Sequence, residues 1–179
     1  MSTAAEPTSG TAPAADVVAP ALEGTEYHSL VPRDGMRAVR VERQAVHEAL
    51  SRLKQAGFET CTLVTAIDRH PQAPRFEVVW QLLSVQHNER VRVVVPVPES
   101  DPSVPSSIDL WPGAAFAERE CFDMFGIKFD GHEGLKRLLL PEGYDHHPLR
   151  KDFPHQGIQP DRLYREWDAE RREGWDEDA

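Results

Sequence analysis

No run in this chain stays apolar for the roughly 20 residues needed to cross a bilayer. The longest apolar patches, Val78–Leu83 and Val91–Val97, are broken by Gln81, Arg92 and Pro96 and have the length of strands. Contact with a membrane is therefore expected only through another protein. Cysteine is almost missing: Cys61 and Cys121 are sixty residues apart and form no C-x-x-C pair. That argues against a disulfide framework or an iron–sulfur site of the chain's own. No Lys or Arg precedes Arg33, and no apolar h-region lies there. Neither a secretory signal nor an Arg-rich transit peptide is expected, which makes a bacterial-type cytoplasmic setting the default. Positive charge is short overall, with a net charge of −10 and a pI near 5.2. A surface of that sign repels polyanions, so nucleic acid and anionic lipid head groups are disfavoured partners. A phosphate-cradling loop is absent too, because Gly113, Gly126, Gly131 and Gly134 do not fall in a G-x-G-x-x-G pattern after a strand.

What remains suits one ordinary domain with tails: 179 residues, 40% hydrophobic and 28% charged. Residues 1–26 are rich in Ala, Pro, Thr and Ser and poor in large apolar side chains, so they are expected to be disordered. A β-type run, Met36–Val41, precedes an amphipathic helix expected over Arg43–Ala56. Its apolar face is Val46, Ala49, Leu50 and Leu53; Gly57 closes it, and Phe58 folds back. Thr60–Ile67 reads as a strand, and Phe76–Val85 with Val91–Val97 as a hairpin. Pro96 and Pro98 should fray the second arm or put it at a sheet edge. Residues 98–105 read as a loop, and Gly126 should end a second helix over Gly113–Phe125. The fold class expected is α+β: a single domain with an antiparallel or mixed sheet of three to five strands and helices on one face, plus an extended C-terminal arm. The divisions are a tail at 1–26, a core domain at 27–140 and a partner-binding arm at 141–179.

The densest chemistry lies between Ala117 and Pro154. On a helix, Glu118, Phe122 and Phe125 share one stripe, and Phe116, Glu120 and Asp123 share its neighbour. Arg119 precedes Asp123 at the i, i+4 spacing of an ion pair. Such charges suit a solvated face with weak pairs, or paired groups if half the helix is buried. Glu118, Glu120 and Asp123 also have the chemistry of general acids and bases, but no third group is visible to orient a substrate. His132, His146, His147 and His155, with Asp145 and Asp152, invite a metal reading. No H-E-x-x-H helix or paired Cys spacing supports it, and surface or backbone-bonded histidines are favoured.

The same stretch resembles a known family. Glu118-Arg119-Glu120, then Asp123-Met124-Phe125-Gly126-Ile127, His132, Lys136 and Leu138-Leu139 look like the signature of the 30 kDa C subunit of respiratory NADH:quinone oxidoreductase (complex I). The continuation Leu139-Leu140-Pro141-Glu142 and His147-Pro148-Leu149-Arg150-Lys151-Asp152-Phe153-Pro154 is similar to it as well. Weaker similarity reaches back to about residue 35. Glu133, His146 and Phe153 depart from the usual proline, glycine and tyrosine. The resemblance implies a structural, non-catalytic subunit of the hydrophilic arm of a proton-translocating complex, peripheral on the cytoplasmic side of the bacterial inner membrane. It implies the D and B subunits as neighbours, with FMN, iron–sulfur clusters, NADH and quinone held in other subunits and none in this chain. The alternative is the equivalent subunit of a membrane-bound hydrogenase or formate hydrogenlyase-type complex. Glu118, Arg119, Glu120, Asp123, Phe125, Gly126, His132, Lys136, Pro148, Arg150, Lys151 and Asp152 are the expected signature and interface residues. Leu163, Tyr164, Trp167 and Trp175 are interface-type residues in the tail. There an extended arm is expected over Pro148–Trp167, with a disordered acidic end over Gly174–Ala179.

Overall fold

The computed structural model describes residues 16–158 together with 165, 166, 168 and 169. Five strands, β1 (Tyr27–Leu30), β2 (Arg37–Val41), β3 (Thr60–Asp68), β4 (Phe76–Ser84) and β5 (Glu89–Val97), form a sheet in the order β1-β2-β5-β4-β3. β4 and β5 make the expected hairpin, with Phe76 opposite Val97 and Ser84 opposite Glu89. β3 is antiparallel to β4 and β2 is parallel to β5, so the sheet is mixed. Alternation sets its faces. Phe76, Val78, Trp80 and Leu82 of β4, with Val91, Val93, Val95 and Val97 of β5, point inward and are buried.

Two helices cover that inner face. α2 (Val46–Gln55) inserts Val46, Ala49, Leu50 and Leu53, the four residues its periodicity singles out. The expected first turn is instead a 3-10 turn at Arg43–Ala45. At the other end Gly57 takes φ +96°, its N–H donates to Lys54 O at 3.1 Å, and Phe58 N donates to Leu53 O at 3.1 Å. This is the Schellman arrangement, and it buries Phe58. α3 (Ala114–Phe125) packs on β3 and ends at Gly126.

Several expectations change. The Ala/Pro-rich tail is not uniformly disordered: a short helix, α1 (Val18–Ala21), plugs the core with Val18 and Leu22. Asp16 starts it by accepting hydrogen bonds from Val18 N and Ala19 N at 3.1 Å. Residues 1–15 lie outside the described ones. β5 is central rather than an edge, despite Pro96. Its pairing with β2 ends at Val94, so β2 no longer flanks the proline that lacks an N–H. β1 has no strong sequence signal, being four residues with two exposed, and forms through pairing with β2. The loop at 98–105 contains β6 (Ser103–Pro105), parallel to β7 (Lys128–Asp130) just past α3. That small sheet holds the segment after β6 against the charged helix.

Candidate functional site: the charged helix and the strap it anchors

Glu118 points into the core and is fully buried. Pairing of β6 with β7 places Ser106 and Ser107 opposite it. Its carboxylate accepts hydrogen bonds from Ser106 Oγ and Ser107 Oγ at 2.6 Å each and from Ser107 N at 2.8 Å. Trp80 Nε1 donates to Ser107 Oγ at 3.0 Å, joining β4 to the cluster. Three neutral donors replace the water this carboxylate loses on burial. Burial, with a smaller push from the Glu118 charge, raises the Cys61 thiol to about 11 and lifts Cys121 as well. Both cysteines are therefore protonated and poorly nucleophilic at neutral pH.

Asp123, also fully buried, works in the opposite direction along the chain. One oxygen accepts the consecutive backbone N–H groups of Leu138, Leu139 and Leu140 at 3.0, 2.7 and 2.9 Å. The other pairs with Arg137 Nη1 at 2.7 Å. Burial pushes its carboxyl up, but the Leu140, Leu139, Arg137 and Leu138 bonds outweigh it and hold it below the usual carboxylate value. One side chain thus organises a whole turn. Arg137 also reaches Tyr144 O, and the Tyr144, His146 and Phe153 rings pack edge-on, at 5.4 and 6.4 Å between successive centroids.

The end of α3 receives a third set of contacts. The last carbonyls of a helix lack partners of their own. Here His147 Nδ1 donates to Asp123 O at 2.9 Å, Arg150 Nε to Phe125 O at 2.6 Å, and Leu149 N to Met124 O at 3.3 Å. The Arg150 cation complements the negative end of the helix dipole. Burial first, and the Arg150 and Arg137 charges next, lower the His147 pKa despite its bond to Asp123 O, so the ring is neutral at pH 7. Gly126 is required here twice over. Its φ is +75°, and an added Cβ would stand 2.5 Å from both Arg150 Nη2 and His147 Nε2. Gly126→Ala is expected to destabilise the chain by about 2–3 kcal/mol through positive φ and overpacking. Thermal melting checks this; a melting temperature within a degree of the parent's would contradict the close packing.

A fourth set ties the following residues to the sheet. Asp68, at the end of β3, accepts hydrogen bonds from Arg75 Nη2 at 3.0 Å and from Lys151 N at 2.8 Å. Arg75, buried itself, also meets Asp152 at 2.8 Å and Glu99 at 2.5 Å. Burial raises the Asp68 pKa, but Arg75 and the Lys151 and His70 N–H groups pull it down to about 2.

The expected residues therefore fall into distinct roles. Asp123, Gly126, Arg150, Asp152 and the Lys151 backbone join the strap, here residues 133–153, to the body, whereas Glu118 holds the Ser106–Ser107 segment against the helix. Phe125 lies in the core. Arg119 does not pair with Asp123, whose oxygens are taken by Arg137 and the 138–140 turn. It donates instead to the Lys136 and Arg137 carbonyls at 3.2 and 3.0 Å. Lys136 contributes that carbonyl and is otherwise exposed, Glu120 and Phe116 face solvent, and Pro148 is half-buried. His132 meets Ala115 O at 3.1 Å through Nε2. Glu118, Glu120 and Asp123 do not converge on a shared space. Among the described residues no three His, Cys, Asp or Glu side chains come together as metal ligands. The arm drawn from residue 141 is not extended at its start, because residues 147–152 latch onto α3 and β3. Leu163, Tyr164, Trp167 and Trp175 lie outside the described residues. Sequence reading missed Ser106 and Ser107 as partners of Glu118, and Asp68, Arg75 and Arg137 altogether. Asp68, closing an apolar strand, was the one visible signal of a buried charge.

A mixed sheet covered on one face, with a polar-latched strap over the end of its charged helix, defines an α+β domain. The profile of the family described as "Respiratory-chain NADH dehydrogenase, 30 Kd subunit" matches residues 39–159, and the chain belongs to that family. It is 42% identical over 142 residues to the NADH-quinone oxidoreductase C subunit of Citrifermentans bemidjiense, covering 79% of this chain and 83% of that one. It is 50% identical over 95 residues to the C/D 2 subunit of the same enzyme from Aquifex aeolicus, covering 53% of this chain and 16% of that one. Against several other C-subunit relatives the chain spans about half their length. The fold is similar to a solved trypsin-resistant fragment (1–134) of Nqo5, with a TM-score of 0.59 and 34% identity over 65% of this chain and 95% of that fragment. Among the described residues no helix is long and apolar enough to cross a membrane.

Proposed function

We propose that this chain is a structural, non-catalytic subunit of the peripheral arm of a proton-translocating NADH:quinone oxidoreductase, where it packs against the D subunit, with the B subunit close by. One observation carries the reading. Of the signature's charged side chains, Glu118, Arg119, Asp123, Arg150 and Asp152 have their hydrogen bonds and ion pairs within this chain's own strap and loops. Groups engaged in this way hold a shape and leave none of these five poised for proton transfer. The chain binds no FMN, iron–sulfur cluster, NADH or quinone itself; those belong to other subunits. It reaches the cytoplasmic face of the inner membrane through its partners.

The relative named as a joint C/D subunit supports D as the neighbour, since one polypeptide there joins the two. The trypsin-resistant Nqo5 fragment supports a compact body that is distinct from a C-terminal extension. In this chain the latched segment runs through Asp152 and Phe153, and we take the partner-binding arm to begin after it, at about residue 154. Removing residues 154–179 is expected to leave the melting temperature nearly unchanged and to reduce co-purification of the D subunit from membranes several-fold. Unchanged recovery of that subunit after the deletion would remove the arm from the account. Recovery of a nickel–iron hydrogenase subunit in place of the NADH- and FMN-binding subunits with the intact chain would overturn the assignment to this complex.

A further inference from the structure

The inner face of the sheet carries both long helices, whereas no described element covers the outer face. An antiparallel face left to water normally alternates to polar residues. Here the outward positions include the exposed Leu63 and Ile67 and, buried at the floor of the face, Ala38, Val79 and Val94. The register aligns them into rows, with Ala38 beside Arg92, Arg92 beside Gln81, and Gln81 beside Leu63. A second row runs Arg40, Val94, Val79 and Thr65. Together with Leu30, Val31 and Pro32 they line an open depression of about 530 Å³. Leu63 is 44% and Val31 97% exposed.

The charges around this floor run against the rest of the molecule. Three of the charged lining residues are cationic (Arg40, Arg69 and Arg92) and one, Glu77, is anionic, on a chain of net charge −10. Arg40 and Arg69 share the carboxylate of Glu77, and Arg92 pairs with Asp34 at the rim. One guanidinium's worth of charge is left over. In addition, the Nε of Arg40 is buried at this face without a hydrogen-bond partner. A buried unpaired donor is costly, so a carboxylate from outside has a place prepared for it. Five strands at about 4.8 Å spacing make a face near 20 Å across, more than a few tail residues cover.

We propose that this outer sheet face seats the D subunit, through an apolar segment of that protein that brings an Asp or Glu carboxylate to Arg40 and Arg69. The inference rests on the reading above and adds the surface and the chemistry of what binds it. Charge complementarity and the fused C/D relative favour the D subunit over a second copy of this chain, which would bring the same arginines to the face.

The test uses the full chain, tagged and expressed with the other subunits of its complex. A photo-crosslinking benzoylphenylalanine replaces Leu63, and the cross-linked peptide is sequenced by mass spectrometry. The expected product joins position 63 to an apolar, carboxylate-bearing segment of the D subunit. The paired variant Leu63→Glu with Ile67→Glu is expected to lower recovery of that subunit at least tenfold. Val85→Glu, at a more exposed position in the hairpin turn, should leave it unchanged. A cross-link to residues 159–179 of the same chain, to a second copy, or to nothing while the D subunit still co-purifies would overturn the proposal. So would its full recovery with the paired variant. If that variant melts early, the cross-link decides alone. Absence of the D subunit with the unaltered chain would instead overturn the functional reading itself, and it is seen before any variant is compared.

Discussion

Asp123→Ala is expected to destabilise the chain by about 3–5 kcal/mol, the size seen when a buried ion pair loses one partner. The substitution leaves three successive N–H groups, from Leu138, Leu139 and Leu140, without their acceptor, and strips Arg137 of its carboxylate. Asp123→Asn keeps one carbonyl oxygen for those N–H groups but sets an amide against Arg137, so it should fall between the parent and the alanine variant. Urea unfolding at pH 7 reads both. Equal stability of the asparagine variant and the parent would mean that the charge contributes little and the hydrogen-bond geometry nearly everything.

Arg75→Ala is expected to be comparably damaging, by about 3–5 kcal/mol, because Asp68 stays buried after losing its cation. Its second effect is local. With the links to Asp152 and Glu99 gone as well, the strap around residues 147–152 should open and become a preferred site of proteolysis, before the body unfolds. The acid limb of stability reports the same latch. Asp68 has its pKa depressed to about 2 from an ordinary 3.8, and Arg75 also lowers that of Asp152. A carboxylate depressed in the folded state contributes stability that is complete above its unfolded value. That contribution is lost as pH falls through the folded value. The parent latch should therefore hold down to about pH 4 and fail between about 4 and 2. In Arg75→Ala the failure should begin at higher pH. A variant with the parent's acid limb and protease pattern would show that the strap is held elsewhere.

Much of this architecture is legible in the sequence. The apolar spacing of Val46, Ala49, Leu50 and Leu53 identifies a helix face, and Gly57 with Phe58 marks its end, because local backbone chemistry decides both. Gly126 ends α3 for the same reason. The charged signature points to the right segment, but not to its use. Arg119 and Asp123 have ion-pair spacing on the helix, yet the partner of Asp123 is a turn fifteen residues away, which no helical period encodes. Asp68 and Lys151 meet across eighty-three residues. β6 and β7 are three residues each and exist because they pair with one another. The short helix at Val18 escapes a compositional reading because two anchors, Val18 and Leu22, suffice to hold an Ala/Pro-rich segment. What the sequence hides is tertiary: which polar groups are buried and which distant backbone they hold.

The most direct test of a scaffold without catalytic residues separates assembly from turnover. Complexes carrying Asp123→Asn or Arg75→Ala are isolated from membranes, the assembled amount is measured by native electrophoresis, and NADH:quinone activity is expressed per assembled complex. Less assembled complex is expected, with activity per complex equal to that of the parent. Full assembly with a clearly lower activity per complex would contradict it, and would put a group of this chain in the reaction.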